Sequence, residues 1–127
     1  MIKINLKVTN MEATPDIRGY LDKKLGKIED FAGRGQDEVI LRVEIGRTTT
    51  HHQQGNVYRA EFQTHLYGKE LRVVSEKEDL YQAIDEAKDE MIREIKSGKE
   101  KSETLLKKSG RAIKNAIRNF YNGSNNS

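Results

Sequence analysis

The sequence predicts an α+β fold with the element order β-α-β-β-β-α, in which a four-stranded sheet carries two helices on one face. Two patterns lead to this prediction. Four segments alternate apolar and polar residues with a period of two, which is typical of strands with one buried face. Two segments repeat apolar residues at intervals of three and four, which is typical of helices with one buried face. Charged and hydrophobic residues make up 34% and 35% of the chain, so we expect a thin structure with its sheet covered on one side only.

The first strand and the first helix come from the N-terminal part of the chain. Apolar and polar residues alternate from Ile2 to Val8. Thr14 and Pro15 then favour a helix start, because threonine caps free amide groups and proline at the first helical position lacks only a donor that would stay unused. This helix is predicted to end near Phe31. Its buried stripe consists of Ile17, Tyr20, Leu21, Leu25 and Ile28.

Three further strands, antiparallel to one another, are predicted after a glycine-containing loop at residues 33–35. Residues 46–55 are polar and bounded by glycines, so we expect a mobile loop between the first two of these strands. A tight turn at Tyr67 and Gly68 separates the last two. The residues expected to face the core are Val39, Leu41, Val43 and Ile45, then Tyr58, Ala60, Phe62, Thr64 and Leu66, then Leu71 and Val73.

A long amphipathic helix is predicted after an acidic corner at residues 75–79, since carboxylates favour the positive end of the helix dipole. Gly98 is interpreted as its stop. Its buried stripe consists of Leu80, Ile84, Ala87, Met91 and Ile95.

The charge distribution divides the chain into two parts. Residues 1–97 form the predicted α+β domain and carry 16 Lys and Arg against 18 Asp and Glu, a net charge of −2. Residues 98–127 carry 7 basic against 2 acidic residues, a net charge of +5. We expect this basic extension to form an amphipathic helix, with residues 122–127 disordered. The basic residues around its apolar stripe are Lys107, Lys108, Arg111, Lys114 and Arg118.

Enzymatic and metal-dependent functions find no support in the sequence. The chain has no cysteine, and His51, His52 and His65 lack the spacing of a metal site on rigid elements. Asp85 and Asp89, one helical turn apart, are typical of a solvated face and not of an acid/base pair. We therefore expect no catalytic residue, no metal and no cofactor. No apolar run approaches the about 20 residues of a membrane-spanning helix, and we expect a soluble cytoplasmic protein.

Electrostatics points instead to an anionic partner. Basic residues cluster towards the ends of both helices and in the extension, where they could bind the phosphates of a nucleic acid. Aromatic residues make up only 6% of the chain, so recognition of structured RNA by shape is favoured over stacking of unpaired bases. An anionic membrane surface, or a tail that serves only solubility, are the alternatives. The candidate phosphate-binding residues are Lys23, Lys24, Lys27, Lys88, Arg93, Lys96, Lys99 and Lys101.

Several motifs, taken together and in order over residues 1–97, resemble the ribosome hibernation promoting factor family, which includes ribosome-associated translation inhibitors. They are the strand IKINLKV, the helix MEATPDIRGYLDKKLGKIEDF, the segment HHQQGNVYRAEFQTHL, the turn and strand YGKELRVVSE, and the helix EDLYQAIDEAKDEMIREIK.

The resemblance implies a fold similar in shape to double-stranded RNA-binding domains. It also implies binding, without chemistry, to the decoding region of the small ribosomal subunit, where 16S-type rRNA and decoding-region proteins are the partners and the mRNA and tRNA sites are blocked. Lys23, Lys24 and Lys27 of the first helix match the family's rRNA-contacting features. So do Lys88, Arg93 and Lys96 of the second helix, and Arg59 lies in the matching YRAE strand. The extension does not resemble the separate C-terminal domain of long members.

The resemblance implies that the protein silences idle ribosomes by steric competition. We expect it to be a monomer off the ribosome. The extension could add an RNA-binding arm. A second interpretation is a non-ribosomal binding module whose basic amphipathic tail docks a protein partner or an anionic membrane.

Overall fold

The structure, a computed structural model, describes residues 2–32, 38–48 and 55–125, with side chains in the last helix up to residue 105 and at 107, 108 and 110. The predicted element order β-α-β-β-β-α is confirmed. The elements are β1 (Ile2–Thr9), α1 (Pro15–Ala32), β2 (Val39–Arg47), β3 (Tyr58–Leu66), β4 (Lys69–Lys77) and α2 (Leu80–Asn125). The predicted loop at residues 33–35 lies outside the described residues.

The four strands form one mixed sheet in the order β1-β2-β3-β4. The pairs β2–β3 and β3–β4 are antiparallel, as predicted, whereas β1 pairs with β2 in parallel. The parallel pair follows from the connection between these strands, because α1 carries the chain back across the sheet before β2 begins.

Both helices pack on one face of the sheet, and the core lies between the two layers. Every residue predicted for the inner faces of β2 and of α2 is buried, and so are Leu21, Leu25 and Ile28 of α1. Phe62 at the centre of β3 is fully buried. Neither α1 nor α2 packs on the opposite face of the sheet, and charged side chains such as Arg42 and Arg72 are exposed there.

The first strand departs from its predicted burial. Ile4 shares the inner side of the sheet with Leu41, its partner in the register, yet it is 40% exposed. β1 is an edge strand, and neither helix is among the elements that pack closely against it. A period of two indicates which side of a strand is apolar, but it does not say whether a helix covers that side.

Local signals at the element ends act as the sequence predicts. The hydroxyl oxygen of Thr14 accepts a hydrogen bond from the amide of Ile17 at 3.3 Å, so Thr14 caps α1. Tyr67 and Gly68 both have positive φ, at 55° and 74°. This conformation is that of the tight two-residue turn whose twist matches an antiparallel hairpin.

The loop predicted at residues 46–55 begins later than the sequence suggested. Gly46 and Arg47 belong to β2, where Gly46 pairs with Thr9 on one side and with Arg59 on the other. Gly46 lies so close to β1 that a Cβ atom built on it would stand 2.4 Å from the carbonyl oxygen of Thr9. Close backbone approach, and not loop formation, therefore explains this glycine. Residues 49–54 lie outside the described residues.

The interpretation of Gly98 as a helix stop is wrong. α2 continues through it to Asn125, because a single glycine costs a helix only about 1 kcal/mol relative to alanine. A Cβ atom at residue 98 would lie 3.3 Å from Cδ2 of Tyr67, so the glycine leaves room for the tyrosine ring of the β3–β4 turn. The disorder predicted for residues 122–127 stays a prediction, although the described helix runs to Asn125.

Candidate nucleic-acid interface

The two helices lie side by side and run in the same direction. Near their starts, the rings of Tyr20 and Tyr81 meet edge to face with 4.8 Å between centroids, and the ammonium of Lys24 lies 3.2 Å from a carboxylate oxygen of Asp85. Further along, the ammonium of Lys96 lies 4.6 Å from the ring centroid of Phe31. These contacts define which edge of each helix faces the other.

Five lysines line these facing edges. On α1, Lys24 and Lys27 lie on the same edge as Tyr20 and Phe31, because residues spaced by three and four share one side of a helix. On α2, the same spacing places Lys88, Lys96 and Lys99 on the edge that faces α1. Lys23 and Arg93 are exposed on the adjoining outer sides. We call this set the interhelical surface: Lys23, Lys24, Lys27, Lys88, Arg93, Lys96 and Lys99.

Three acidic residues of α2 are segregated from this surface, whereas Asp85 and Asp89 lie on it. Glu86, Glu90 and Glu94 follow one another at single-turn spacing on a different side of the helix. Glu86 binds Lys77 of β4 through a contact of 2.8 Å, which shows that this acidic edge faces the edge strand of the sheet. A domain whose net charge is −2 can therefore still present a basic surface along its helix pair.

Charge also changes along the length of the interhelical surface. In the first half, Asp85 binds Lys24, and Asp89 contacts Lys88 at 2.7 Å. These lysines are therefore balanced by carboxylates. In the second half, Lys27 and Lys99 are exposed and form no ion pair with any residue the structure describes. We call the lysines of this second half, together with the ring of Phe31 that Lys96 covers, the basic end: Lys27, Phe31, Lys96 and Lys99.

A hydrogen bond ties the helices together at the opposite end. The hydroxyl of Tyr20 donates to a carboxylate oxygen of Asp85 at 2.6 Å. This bond, with smaller contributions from burial and from the charge of Asp85, raises the pKa of Tyr20 to about 12. Partial burial opposes ionisation of Asp85, but its hydrogen bonds with Tyr20 and Lys24 outweigh it, and the pKa of the carboxyl is held below its usual range.

The raised pKa of Tyr20 leads to a prediction about alkaline stability. Since the folded pKa lies above the unfolded value of 10.0, the stabilisation is complete below pH 10 and disappears as the pH rises to about 12. In a titration of phenolate absorbance, one of the five tyrosines should ionise near pH 12, and the variant Tyr20→Phe should lack that step. If the variant loses a tyrosine that ionises near pH 10, this hydrogen bond does not form in solution.

Arg59 is not brought together with the basic residues of the helices. Its guanidinium lies on the open face of the sheet and contacts Glu61 at 2.7 Å and Glu76 at 3.8 Å. Glu61 also binds Arg72 at 2.9 Å. Successive side chains of a strand point to opposite faces of the sheet, so Arg59 and the buried Ala60 of β3 lie on opposite faces. The sequence therefore already indicated that Arg59 faces away from the helices, which a residue-by-residue match to the family does not take into account.

The basic residues of the extension occupy a different part of α2. Lys101 lines a groove between α2 and the β3–β4 turn, whose other walls include Tyr67, Lys69 and Leu105. Lys107 and Lys108 are exposed on the helix beyond this groove. Arg111, Lys114 and Arg118 lie on the same continuous helix, and their side chains are outside the described set.

The described ranges contain neither a metal-binding cluster nor a membrane-spanning helix. No group of three or more histidine, aspartate or glutamate side chains there is arranged to hold a metal ion. His65 lies 3.3 Å from Glu70 on the exposed sheet face, and His51 and His52 lie outside the described residues. None of the described helices is both long enough and apolar enough to cross a membrane.

Sequence reasoning missed two aromatic residues of this site. Phe31, next to the end of α1, is 39% exposed, and Tyr81, near the start of α2, is 37% exposed. Phe31 was expected only to mark a helix end, and the low aromatic content argued against any stacking surface. The apolar stripe of α1 could have given the signal, because Phe31 stands next to the stripe and the true core position is Ala32.

The fold and charge distribution define a small α+β domain whose two helices carry lysines along their facing edges. Comparison with known proteins identifies its family. The sequence model of the family described as Sigma 54 modulation protein / S30EA ribosomal protein matches residues 4–103. The chain belongs to this family, and the predicted relationship to ribosome hibernation promoting factors is confirmed.

Curated relatives and solved structures agree with this assignment. The chain is 30% identical to the ribosome hibernation promoting factor of Klebsiella oxytoca, over 79% of this chain and 96% of that protein. It is 31% identical to the ribosome hibernation promotion factor of Lactococcus lactis, over 78% of this chain but only 50% of that longer protein. The N-terminal domain of Thermus thermophilus Protein Y superposes with a TM-score of 0.59 at 35% identity, over 76% of this chain and 96% of that domain. A ribosomal subunit interface protein from Coxiella burnetii, with a TM-score of 0.56 at 16% identity over 78% of this chain and 98% of that one, shares the fold.

Proposed function

We propose that this protein is a ribosome hibernation factor that binds the decoding region of the small ribosomal subunit and sterically blocks the mRNA and tRNA sites. Family membership supports the general role, because its curated relatives are named ribosome hibernation promoting factors. The location on the ribosome is inferred from the resemblance together with the geometry of the helix pair.

The observation that carries this proposal is the segregation of charge on α2. RNA binding depends on lysine and arginine side chains that can replace the counterions condensed on phosphates. The acidic edge of α2 is directed towards β4, where Glu86 binds Lys77, and the lysines of the interhelical surface lie on the other edge. In the first half of the interhelical surface, Asp85 and Asp89 are more exposed than the lysines they pair with. An RNA backbone would therefore find its unpaired lysines at the basic end, where Lys27 and Lys99 are exposed and form no ion pair with a described residue.

The proposed action needs no chemical step. A folded domain that occupies the path of mRNA and tRNA excludes them by volume, and its effect is reversed by dissociation. Neither a cofactor nor a catalytic residue is required, and the site of action is the cytoplasm. We propose that the free protein is a monomer, and that the 16S-type rRNA and the proteins of the decoding region are its partners.

Sedimentation tests the proposal directly. The protein should sediment with purified small subunits at low salt, should inhibit cell-free translation, and should compete with tRNA for bound subunits. Absence of binding to small subunits at low salt would refute it. Binding to large subunits alone, or binding that leaves tRNA in place, would refute the proposed location.

We further propose that residues 98–127 act as an accessory RNA-binding arm. The family match ends at residue 103, whereas α2 continues for 22 more residues to Asn125, which is about 33 Å of helix. Lys107 and Lys108 are exposed at the start of this segment, and the whole extension has a net charge of +5.

Removal of residues 106–127 should weaken binding to small subunits at low salt and lower its salt dependence. The truncation removes five basic residues but keeps the contact of Gly98 with Tyr67, so the domain should remain folded. Each lost phosphate contact should reduce the slope of log K against log salt by about 0.9 or less. The slope should be measured by sedimentation at several salt concentrations. An unchanged slope, with loss of association to a protein or a lipid vesicle, would instead assign the arm to a different partner.

A further inference from the structure

We propose that the basic end of the interhelical surface binds an unpaired RNA base, which stacks on the ring of Phe31. This inference rests on the proposed function, since it specifies how the same surface would hold rRNA. The surface would then bind rRNA by base stacking on Phe31 as well as by phosphate contacts with its lysines.

The exposure of Phe31 is the first observation. The ring is 39% exposed although α1 buries four other side chains completely or nearly so, among them the adjacent Ala32. The ammonium group of Lys96 lies over the ring of Phe31, 4.6 Å from its centroid. A lysine side chain is flexible and can move aside, so the face that it covers is accessible to a planar ligand.

The surroundings of Phe31 are the second observation. Lys27 lies one turn before it on the same edge of α1, and Lys99 lies one turn after Lys96 on α2. Two exposed carboxylates lie nearby, since Asp30 follows Lys27 by one turn and Glu100 follows Lys96 by one turn, but neither forms an ion pair with these lysines among the described residues. A base that stacks on the ring would thus carry its phosphates towards three lysines. Aromatic rings flanked by cations are the usual platform for bases of single-stranded RNA.

Tyr81 provides an internal comparison because it is an equally exposed aromatic ring on the same helix pair. It is 37% exposed, but it lies at the other end, where one side of it meets Tyr20. Asp79 accepts a hydrogen bond from the amide of Tyr81, and Asp85 lies one turn further along α2. Near Tyr81 the lysine Lys24 is paired with Asp85, whereas Lys27 and Lys99 near Phe31 form no ion pair with a described residue. Exposure alone would predict two stacking sites, and this difference in unpaired positive charge selects Phe31.

Tryptophan fluorescence can test this inference, because the chain contains no tryptophan. The variants Phe31→Trp and Tyr81→Trp each introduce one reporter at a matched, exposed position. Each variant is mixed with small ribosomal subunits, and sedimentation of the same samples shows how much protein is bound. Since both samples contain the same RNA, Tyr81→Trp corrects for light absorbed by the subunits. We expect strong quenching of the tryptophan at residue 31 and little quenching at residue 81.

Three results are possible and each decides a different point. Binding with selective quenching at residue 31 supports base stacking. Binding with equal quenching of the tryptophan in both variants overturns base stacking and leaves the proposed function intact. No binding by the unmodified protein overturns both.

Affinity measurements provide a second, independent readout of the same contact. Phe31→Tyr, which keeps an aromatic ring, should bind small subunits as the unmodified protein does, whereas Phe31→Leu should bind about tenfold more weakly. Equal affinities for the two variants would show that the ring is not used for stacking.

Discussion

Replacing Lys27 and Lys99 with glutamate is expected to weaken binding to small ribosomal subunits by roughly 100-fold at low salt, and to lower the slope of log K against log salt by about 2. Both lysines belong to the basic end, both are exposed, and neither is ion-paired with a described residue. The double variant would therefore remove two phosphate contacts and add two repulsive charges. Lysine and glutamate have similar helix propensities, so the fold should survive.

The matched control places the same charge change on the opposite side of the molecule. Lys3 and Lys7 are exposed on β1, on the open face of the sheet. Lys3→Glu with Lys7→Glu alters the net charge by the same amount, and it should reduce affinity only slightly. Equal losses for the two double variants would mean that net charge, and not the interhelical surface, controls binding.

Replacement of Gly46 with alanine should lower the free energy of unfolding by about 2–3 kcal/mol. The new Cβ atom would stand 2.4 Å from the carbonyl oxygen of Thr9 and 3.0 Å from its Cβ atom. The first of these neighbours is backbone, so relief requires β1 and β2 to separate where their parallel pairing ends. The hydrogen bond from the hydroxyl of Thr9 to Glu44, 2.9 Å long, would be strained at the same point.

Gly26→Ala is the control for this variant. Gly26 lies within α1, and a Cβ atom there would meet no atom within 4 Å. Alanine should therefore stabilise the helix by up to about 1 kcal/mol. Chemical denaturation of the three proteins would measure both effects. A Gly46→Ala variant as stable as the unmodified protein would show that β1 is not held against β2 as described.

The fold was predictable because its local patterns agree with one another. The period of two in β2 and β3 and the stripe from Leu80 to Ile95 each identify a buried face, and the faces fit together in one way. The start of α1 directly after the Thr14 cap and the turn at Tyr67 and Gly68 follow from the chemistry of these residues. The exposure of Ile4 was not predictable, since it depends on how far the helix layer extends over an edge strand.

The candidate site was less predictable because it depends on how the helices are rotated. The sequence shows acidic and basic residues interspersed along α2, and it does not show which side of the helix faces which neighbour. Only the contacts of α2 with its neighbours reveal that Glu86 is directed towards β4 and Lys96 towards α1. Gly98 was misread for a similar reason, because its packing against Tyr67 joins residues that are far apart in the sequence.

Directed cleavage of rRNA is the most direct test of the interhelical surface as the ribosome-binding face. The chain has no cysteine, so single cysteines can carry an iron chelate that generates hydroxyl radicals. Asp30→Cys places the probe on the exposed side of α1, beside the basic end, and Asn5→Cys places it on the open face of the sheet. We predict that, on small subunits, the probe at residue 30 cleaves rRNA strongly in the decoding region and that the probe at residue 5 cleaves it weakly. Strong cleavage from residue 5 alone, or cleavage confined to rRNA outside the decoding region, would contradict this orientation.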